Sequence, residues 1–139
     1  MPMTAPTIPA SKTALWSGRI LSALVVLFTL FDGVAKVMKE PHAVQASAQL
    51  GYADRLIPVI GIILLICTVI YVIPRTSILG AVLLTGYLGG ATASQMRIGS
   101  PLFETVFPII FGVLVWLGLF LREERLRALI PLRREKSMP

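Results

Sequence analysis

The chain is poor in the residues that redox, metal and hydrolytic chemistry usually draw on. It has one cysteine, Cys67, and one histidine, His42, in 139 residues. A single thiol cannot close an intrachain disulfide or form a CxxC pair, and no Cys/His cluster is present for zinc, iron or haem. No nucleotide-binding loop, nucleophile–base constellation or pair of carboxylates at catalytic spacing occurs, so an enzyme reading has no motif behind it. Charge is scarce as well: 14% of residues are Asp, Glu, Lys or Arg, against about a quarter in a soluble domain. The net charge of +6 could suggest nucleic acid. The basic residues flank apolar segments instead of sharing a surface, which points to lipid headgroups and excludes nucleic acid.

What the chain has instead is apolar length. Hydrophobic residues make up 55% of it, and the mean hydropathy is +0.81. Four apolar stretches, about 16–36, 56–73, 76–97 and 102–121, are each long enough to cross a bilayer. The first ends at Asp32–Lys36 with no Ala-x-Ala site, so it is expected to stay as a span and not to be cleaved as a leader. Residues 1–13, with three prolines, are expected to be disordered, and 133–139 to be a mobile tail. Between spans one and two, Pro41 and Gly51 have the character of a helix start and a C-terminal cap. They predict a short interfacial helix at the mouth of the bundle. After span four, Leu126, Leu129 and Ile130 fall on one side of a basic stretch, predicting an amphipathic tail on the membrane surface. The expected fold is all-α: an integral-membrane four-helix bundle, one domain over 14–132.

The third stretch carries Gly80, Gly86, Gly89 and Gly90. In water each interior glycine costs a helix roughly 1 kcal/mol against alanine. In lipid, small residues allow close helix approach. At helical spacing Gly86, Gly89, Gly90, Ala93 and Arg97 share a face, and Leu84, Leu88 and Ala91 lie opposite. The glycine face, with Gly86 and Gly90 as a small-xxx-small pair, is therefore expected to pack against the other spans.

Four spans put both termini on one side. Nine Lys and Arg residues flank the terminal side and four, Lys36, Lys39, Arg55 and Arg97, flank the other. The positive-inside bias then places both termini in the cytoplasm. The outer end collects Asp32, Lys36, Glu40, His42, Asp54, Arg55, Gln95, Arg97 and Glu104. Asp32 is one helical turn from Lys36, and an ionisable group at that depth is costly unless paired or hydrated. A ligand or ion-pair cleft built on Asp32, Lys36, Gln95, Arg97 and Glu104 is the sharpest site reading. A structural ion pair with snorkelling lysines is the competing one. No residue stands out as catalytic or as a metal ligand. His42 reads as a solvated loop histidine, and Cys67 as a small buried hydrophobe.

The stretch Cys67-Thr-Val-Ile-Tyr71-Val-Ile-Pro74-Arg75-Thr76 through Gly80-Ala81 to Thr85-Gly86-Tyr87-Leu-Gly89-Gly90-Ala91 resembles the DoxX-like family of small bacterial four-span membrane proteins. Phe31-Asp-Gly33-Val-Ala-Lys36, Arg97-Ile-Gly99-Ser-Pro101 and Gly112-Val-Leu-Val-Trp116-Leu-Gly118 support it, and the resemblance covers nearly all of 16–132. Relatives commonly carry a glutamate where this chain has Leu64 and a histidine where it has Gln95. The resemblance implies the four-span fold and an association with thiosulfate-to-quinone electron transfer, without fixing a reaction. The leading expectation is a non-catalytic accessory, assembly or scaffold component. A redox component handling quinone or a small sulfur species at an outward-facing cleft comes second, and a small dimeric transporter third. No motif calls for a cofactor, quinone included. The expected partners are the bilayer and a second copy or another membrane protein.

Overall fold

The computed structural model describes residues 11–129. Their elements in order are α1 (Lys12–Val37), α2 (Pro41–Gln49), a 3₁₀ turn (Asp54–Leu56), α3 (Ile57–Val72), a second 3₁₀ turn (Pro74–Thr76), α4 (Ser77–Arg97), α5 (Leu102–Arg122) and α6 (Glu124–Arg127). Among the described residues there is no strand. Four of the helices are long and apolar enough to cross a membrane. At 1.5 Å per residue a 21-residue helix such as α4 reaches about 31 Å, the thickness of a hydrocarbon core. The molecule is an all-α membrane bundle of four helices.

The local signals set the helix ends. Ser11 caps α1 by accepting from the Ala14 N–H at 3.1 Å, so α1 starts at Lys12, earlier than the expected 16. The disorder expected over 1–13 does not hold for 11–13; the rest of it, and the expected mobile 133–139, lie outside the described residues. Pro41 opens α2, with the Glu40 carboxylate accepting from Ala43 N–H at 3.1 Å. Gly51 follows α2 at φ +89°, a left-handed conformation that favours glycine. Pro74–Thr76 turns the chain between α3 and α4, where the Ser77 hydroxyl donates to the Tyr71 carbonyl at 2.9 Å.

The four long helices form a ring in the order α1, α3, α4, α5, each packed on two neighbours. Glycines do permit close approach, at other positions than expected. At the α1–α5 crossing a Cβ on Gly18 would lie 2.7 Å from the Gly118 carbonyl oxygen. At α1–α3 a Cβ on Gly61 would lie 2.7 Å from the Gly33 oxygen. At α3–α4 a Cβ on Gly80 would lie 2.3 Å from Tyr71 Cα.

The glycine face of α4 corrects the sequence expectation. Nothing lies within 4 Å of where Gly86, Gly89 or Gly90 would carry a Cβ, and Ala93 is exposed. Leu84 and Leu88, expected to face outwards, are buried, with Leu84 0% exposed. The core joins them to Val25, Leu64, Tyr71, Val115 and Leu119. The physical reason is that lipid is as apolar as leucine, so hydropathy does not report which face of a span turns inward. Here the leucine knobs fill the middle of the ring.

The tail departs as well. Leu126 is 2% exposed and joins the core, whereas Leu129 is 56% exposed, and Ile130 lies outside the described residues. The α6 turn is tucked under the bundle instead of floating on one apolar side. Arg127 holds it there, donating through Nε to the Phe120 carbonyl at 2.7 Å and through Nη2 to the Leu121 carbonyl. These are end carbonyls of α5, which lack partners within the helix.

Candidate functional site

Around α4 the missing glycine side chains leave open space on both sides. One cleft of about 270 Å³ is walled by α1, α3 and α4 and covered by α2 and the residues after it; the other, about 520 Å³, runs between α4 and α5. Gly86 and Gly90 line the first and Gly89 the second. At the turn, α3 and α4 touch at Tyr71 and Gly80; by Gly86 and Gly90 no neighbour is in reach.

The first cleft is the candidate site, because polar groups converge there. Lys36, one residue from the end of α1, lines it and donates to Asp32 one turn earlier. The Lys36 side chain is 15% exposed and that of Asp32 31%, so the pair neutralises charge where the bilayer would otherwise penalise it. An ammonium has three protons, and only the bond to Asp32 is formed. From α2 comes Ser47, the one buried residue of that helix at 4% exposure, and its hydroxyl has no partner among the described residues. Tyr87 of α4 also presents a hydroxyl with no such partner. Tyr52 Oη meets Ser94 Oγ at 2.7 Å, and Ser94 donates to the Gly90 carbonyl at 2.9 Å. Leu50, Ile60, Ile63 and Ala91 supply apolar wall.

The remaining expected site residues go elsewhere. Arg97 does not reach Asp32. Its guanidinium donates to the Leu50 carbonyl at the end of α2 and lies against Gly51, where a Cβ would be 3.1 Å from Nη2. Gln95 accepts from the Ser100 hydroxyl at 2.5 Å, within the turn after α4. Glu104 is exposed at the start of α5, with no ion pair among the described residues. Of the five residues expected in the cleft, only Asp32 and Lys36 come together. Arg97 instead acts as a strap, and α2 is tied further by Lys39 to Asp54 at 2.7 Å. Among the described residues, no three His, Cys, Asp or Glu side chains gather as metal ligands.

Residues 20–118, from the third turn of α1 to the last turns of α5, match the family model of the DoxX-like family. The chain belongs to the DoxX-like family. No curated protein and no solved structure matches it. The match takes in part of every long helix of the DoxX-like bundle and all the residues that line the first cleft. Of the two positions where the resemblance expects polar groups, Leu64 is 1% exposed in the core, and Gln95 is engaged with Ser100.

Sequence reasoning missed Ser47, Tyr52 and Tyr87, because a serine and a tyrosine in a connector and a tyrosine in the middle of a span carry no pattern of their own. It also missed a relay at the opposite end of this DoxX-like bundle. Arg122 Nε donates to Ser22 Oγ at 3.1 Å, Ser22 lies 3.0 Å from Tyr71 Oη, and Tyr71 donates to the Val115 carbonyl at 3.0 Å. The Arg122 guanidinium sits over the Tyr71 ring, 5.5 Å from its centroid. Since the tyrosine proton goes to Val115, the serine proton goes to the tyrosine. The chain of bonds runs one way and ties α1, α3 and α5 together. The second cleft is apolar apart from Trp116, which donates to Thr85 Oγ1 at 2.6 Å, and Thr92, whose hydroxyl is buried without a partner among the described residues.

Proposed function

We propose that this DoxX-like protein is a non-catalytic accessory, assembly or scaffold component of the bacterial inner membrane, with both termini in the cytoplasm. The observation that supports this reading is the bare glycine face of α4. Gly86, Gly89 and Gly90 have no neighbour within 4 Å of a would-be Cβ, whereas Gly18, Gly33, Gly61, Gly80 and Gly118 sit at tight helix crossings. In a bilayer, a face without side chains gains most from the close backbone approach of another helix, through van der Waals contact and Cα–H bonds. The nine-to-four excess of basic residues on the terminal side supports the orientation.

The test places a photocrosslinking residue at Gly86 or Gly89, and for comparison at Ile66 or Val69 on the exposed side of α3. Crosslinking is done in native membranes, with products identified by mass spectrometry. The expected result is a discrete protein adduct from the α4 positions and none from α3. Adducts to lipid alone from all four positions would remove the accessory reading. Purified protein carrying quinone with a redox-active spectrum would replace it with the redox one. Substrate flux into vesicles that Asp32→Asn abolishes would replace it with transport.

A further inference from the structure

We propose that the groove between α4 and α5 seats a second copy of this chain, related to the first by a two-fold axis along the membrane normal. The helix expected on the bare face of α4 under the accessory reading, on which this rests, is then α5 of a like chain.

The walls of the groove decide what it can hold. No charged residue lines its volume of about 520 Å³. Trp116 gives its one N–H to Thr85, and Thr85 gives its hydroxyl proton to the Ala81 carbonyl at 2.7 Å. Thr92 is the exception among the threonines of the spans. Thr29, Thr68 and Thr85 each bond the carbonyl four residues back, whereas the Thr92 hydroxyl is covered and has no partner among the described residues. Forgoing that bond costs stability, and it leaves Thr92 lining the groove through carbon. With every hydroxyl engaged or covered, the groove suits hydrocarbon: a helix face or an acyl chain.

Shape and charge choose between these. On α4 the small residues Thr85, Gly89 and Thr92 share one face of the groove. On α5 Ile109, Val113 and Leu117, four apart and 50%, 57% and 42% exposed, form a ridge along it. Two contacts set the register of this antiparallel pair: Trp116 bonds Thr85 at 2.6 Å, and a Cβ on Gly112 would lie 3.9 Å from Leu88 Cδ1. Leu117 is then level with Thr85, Val113 with Gly89 and Ile109 with Thr92, each to within about half a helical turn. A two-fold axis along the normal keeps depth and sets α5 of each copy opposite α4 of the other. The bulky row of one copy thereby meets the small row of the other, which is the contact that favours helix association in lipid. An acyl chain would fill the groove and leave the ridge uncovered. At the end of the bundle that carries the termini, Arg75 stands before α4 and Glu123 after α5, neither in an ion pair among the described residues. The same axis brings Arg75 of each copy towards Glu123 of the other, and such rim charges select orientation more than they add affinity.

The experiment co-expresses two differently tagged full-length copies, one with Gly89→Cys and the other with Val113→Cys, and oxidises native membranes mildly. A disulfide joining the two tags is expected. Gly89→Cys paired with itself, or with Ile66→Cys on the exposed side of α3, should give none. In vesicles at low protein-to-lipid ratio, energy transfer between labelled copies should report dimers, and Gly89→Leu should raise their dissociation constant by roughly tenfold or more. Nothing lies within 4 Å of a Cβ at Gly89, and leucine is the better helix former. At dilutions where the parent is monomeric, the variant should therefore unfold at the same or a higher SDS fraction, so loss of the dimer is not loss of structure. Absence of the mixed disulfide, or undiminished energy transfer in Gly89→Leu, would overturn the proposal. A disulfide from Gly89→Cys to itself would also overturn it, by putting α4 on the axis. A photocrosslink from Gly89 to a different protein, without the mixed disulfide, would remove the second copy and leave the accessory reading standing, whereas adducts to lipid alone would remove both.

Discussion

Replacing Gly80 and Gly86 by alanine, one at a time, separates the glycine that holds the bundle together from the one that does not. A methyl at Gly80 would lie 2.3 Å from both the Cα and the backbone nitrogen of Tyr71, and 2.7 Å from its Cβ. Carbon atoms rest at about 3.5–4.0 Å, so α3 and α4 would have to part by more than about 1 Å. No rotamer relieves this, because the obstacle is main chain. Nor can Tyr71 move freely, since its hydroxyl is fixed between Val115 and Ser22, and the Pro74–Thr76 turn joins the two helices a few residues away. Overpacking of this kind costs about 1–3 kcal/mol, and contact with backbone puts Gly80→Ala near the upper end. Gly86→Ala meets nothing within 4 Å and removes a poor helix former, a change favourable by up to about 1 kcal/mol. The two substitutions should differ by about 3 kcal/mol in reversible unfolding by SDS in mixed micelles, followed by tryptophan fluorescence. Unfolding of both variants at the same SDS fraction would show that α4 packs through the face opposite to the one described.

Three further outcomes are expected. Tyr71→Phe should destabilise the bundle by about 1 kcal/mol in the same titration, since it deletes the middle of the Arg122–Ser22–Tyr71–Val115 relay; Ser94→Ala, which leaves that relay intact, should do less. A cysteine at the exposed Ala46 should react with an impermeant maleimide added to intact cells while tags at Met1 and Pro139 stay shielded, and the buried Cys67 should give no background; labelling at either tag would reverse the orientation. The hydrogen bond from His42, and after it the Ala43 N–H, hold the Glu40 carboxylate below the usual carboxylate range; a depressed folded value means the stabilisation is complete above the unfolded pKa and is lost as pH falls through the folded one, so amide-exchange protection of α2 should stay level down to about pH 5 and fall below about pH 4, a dependence that Glu40→Gln should lack.

The sequence alone determined the spans, the short helix between the first two, and the antiparallel pairing of α3 with α4 across Pro74–Thr76. Each rests on a local quantity: an apolar run as long as a bilayer is thick, a proline or glycine at a helix end, a connection too short for any other arrangement. The contact of Lys36 with Asp32 was likewise legible, because residues four apart on a helix are neighbours wherever the helix sits. Facing was not. The glycines of α4 suggested a packed face, but in a bilayer burial brings no gain in hydrophobicity, so Leu84 and Leu88 could fill the centre while Gly86, Gly89 and Gly90 were left bare. Which glycines touch was decided by where helices cross, and the crossings fell at Gly18, Gly33, Gly61, Gly80 and Gly118. Arg97 was placed on the correct end of the bundle, yet its partner is the Leu50 carbonyl, because a main-chain acceptor at a helix C-terminus leaves no mark in the sequence. The cleft itself is tertiary throughout. Ser47, Tyr52, Tyr87 and Lys36 come from four separate segments, and only the folding of α2 over the diverging ends of α3 and α4 brings their polar groups around one space.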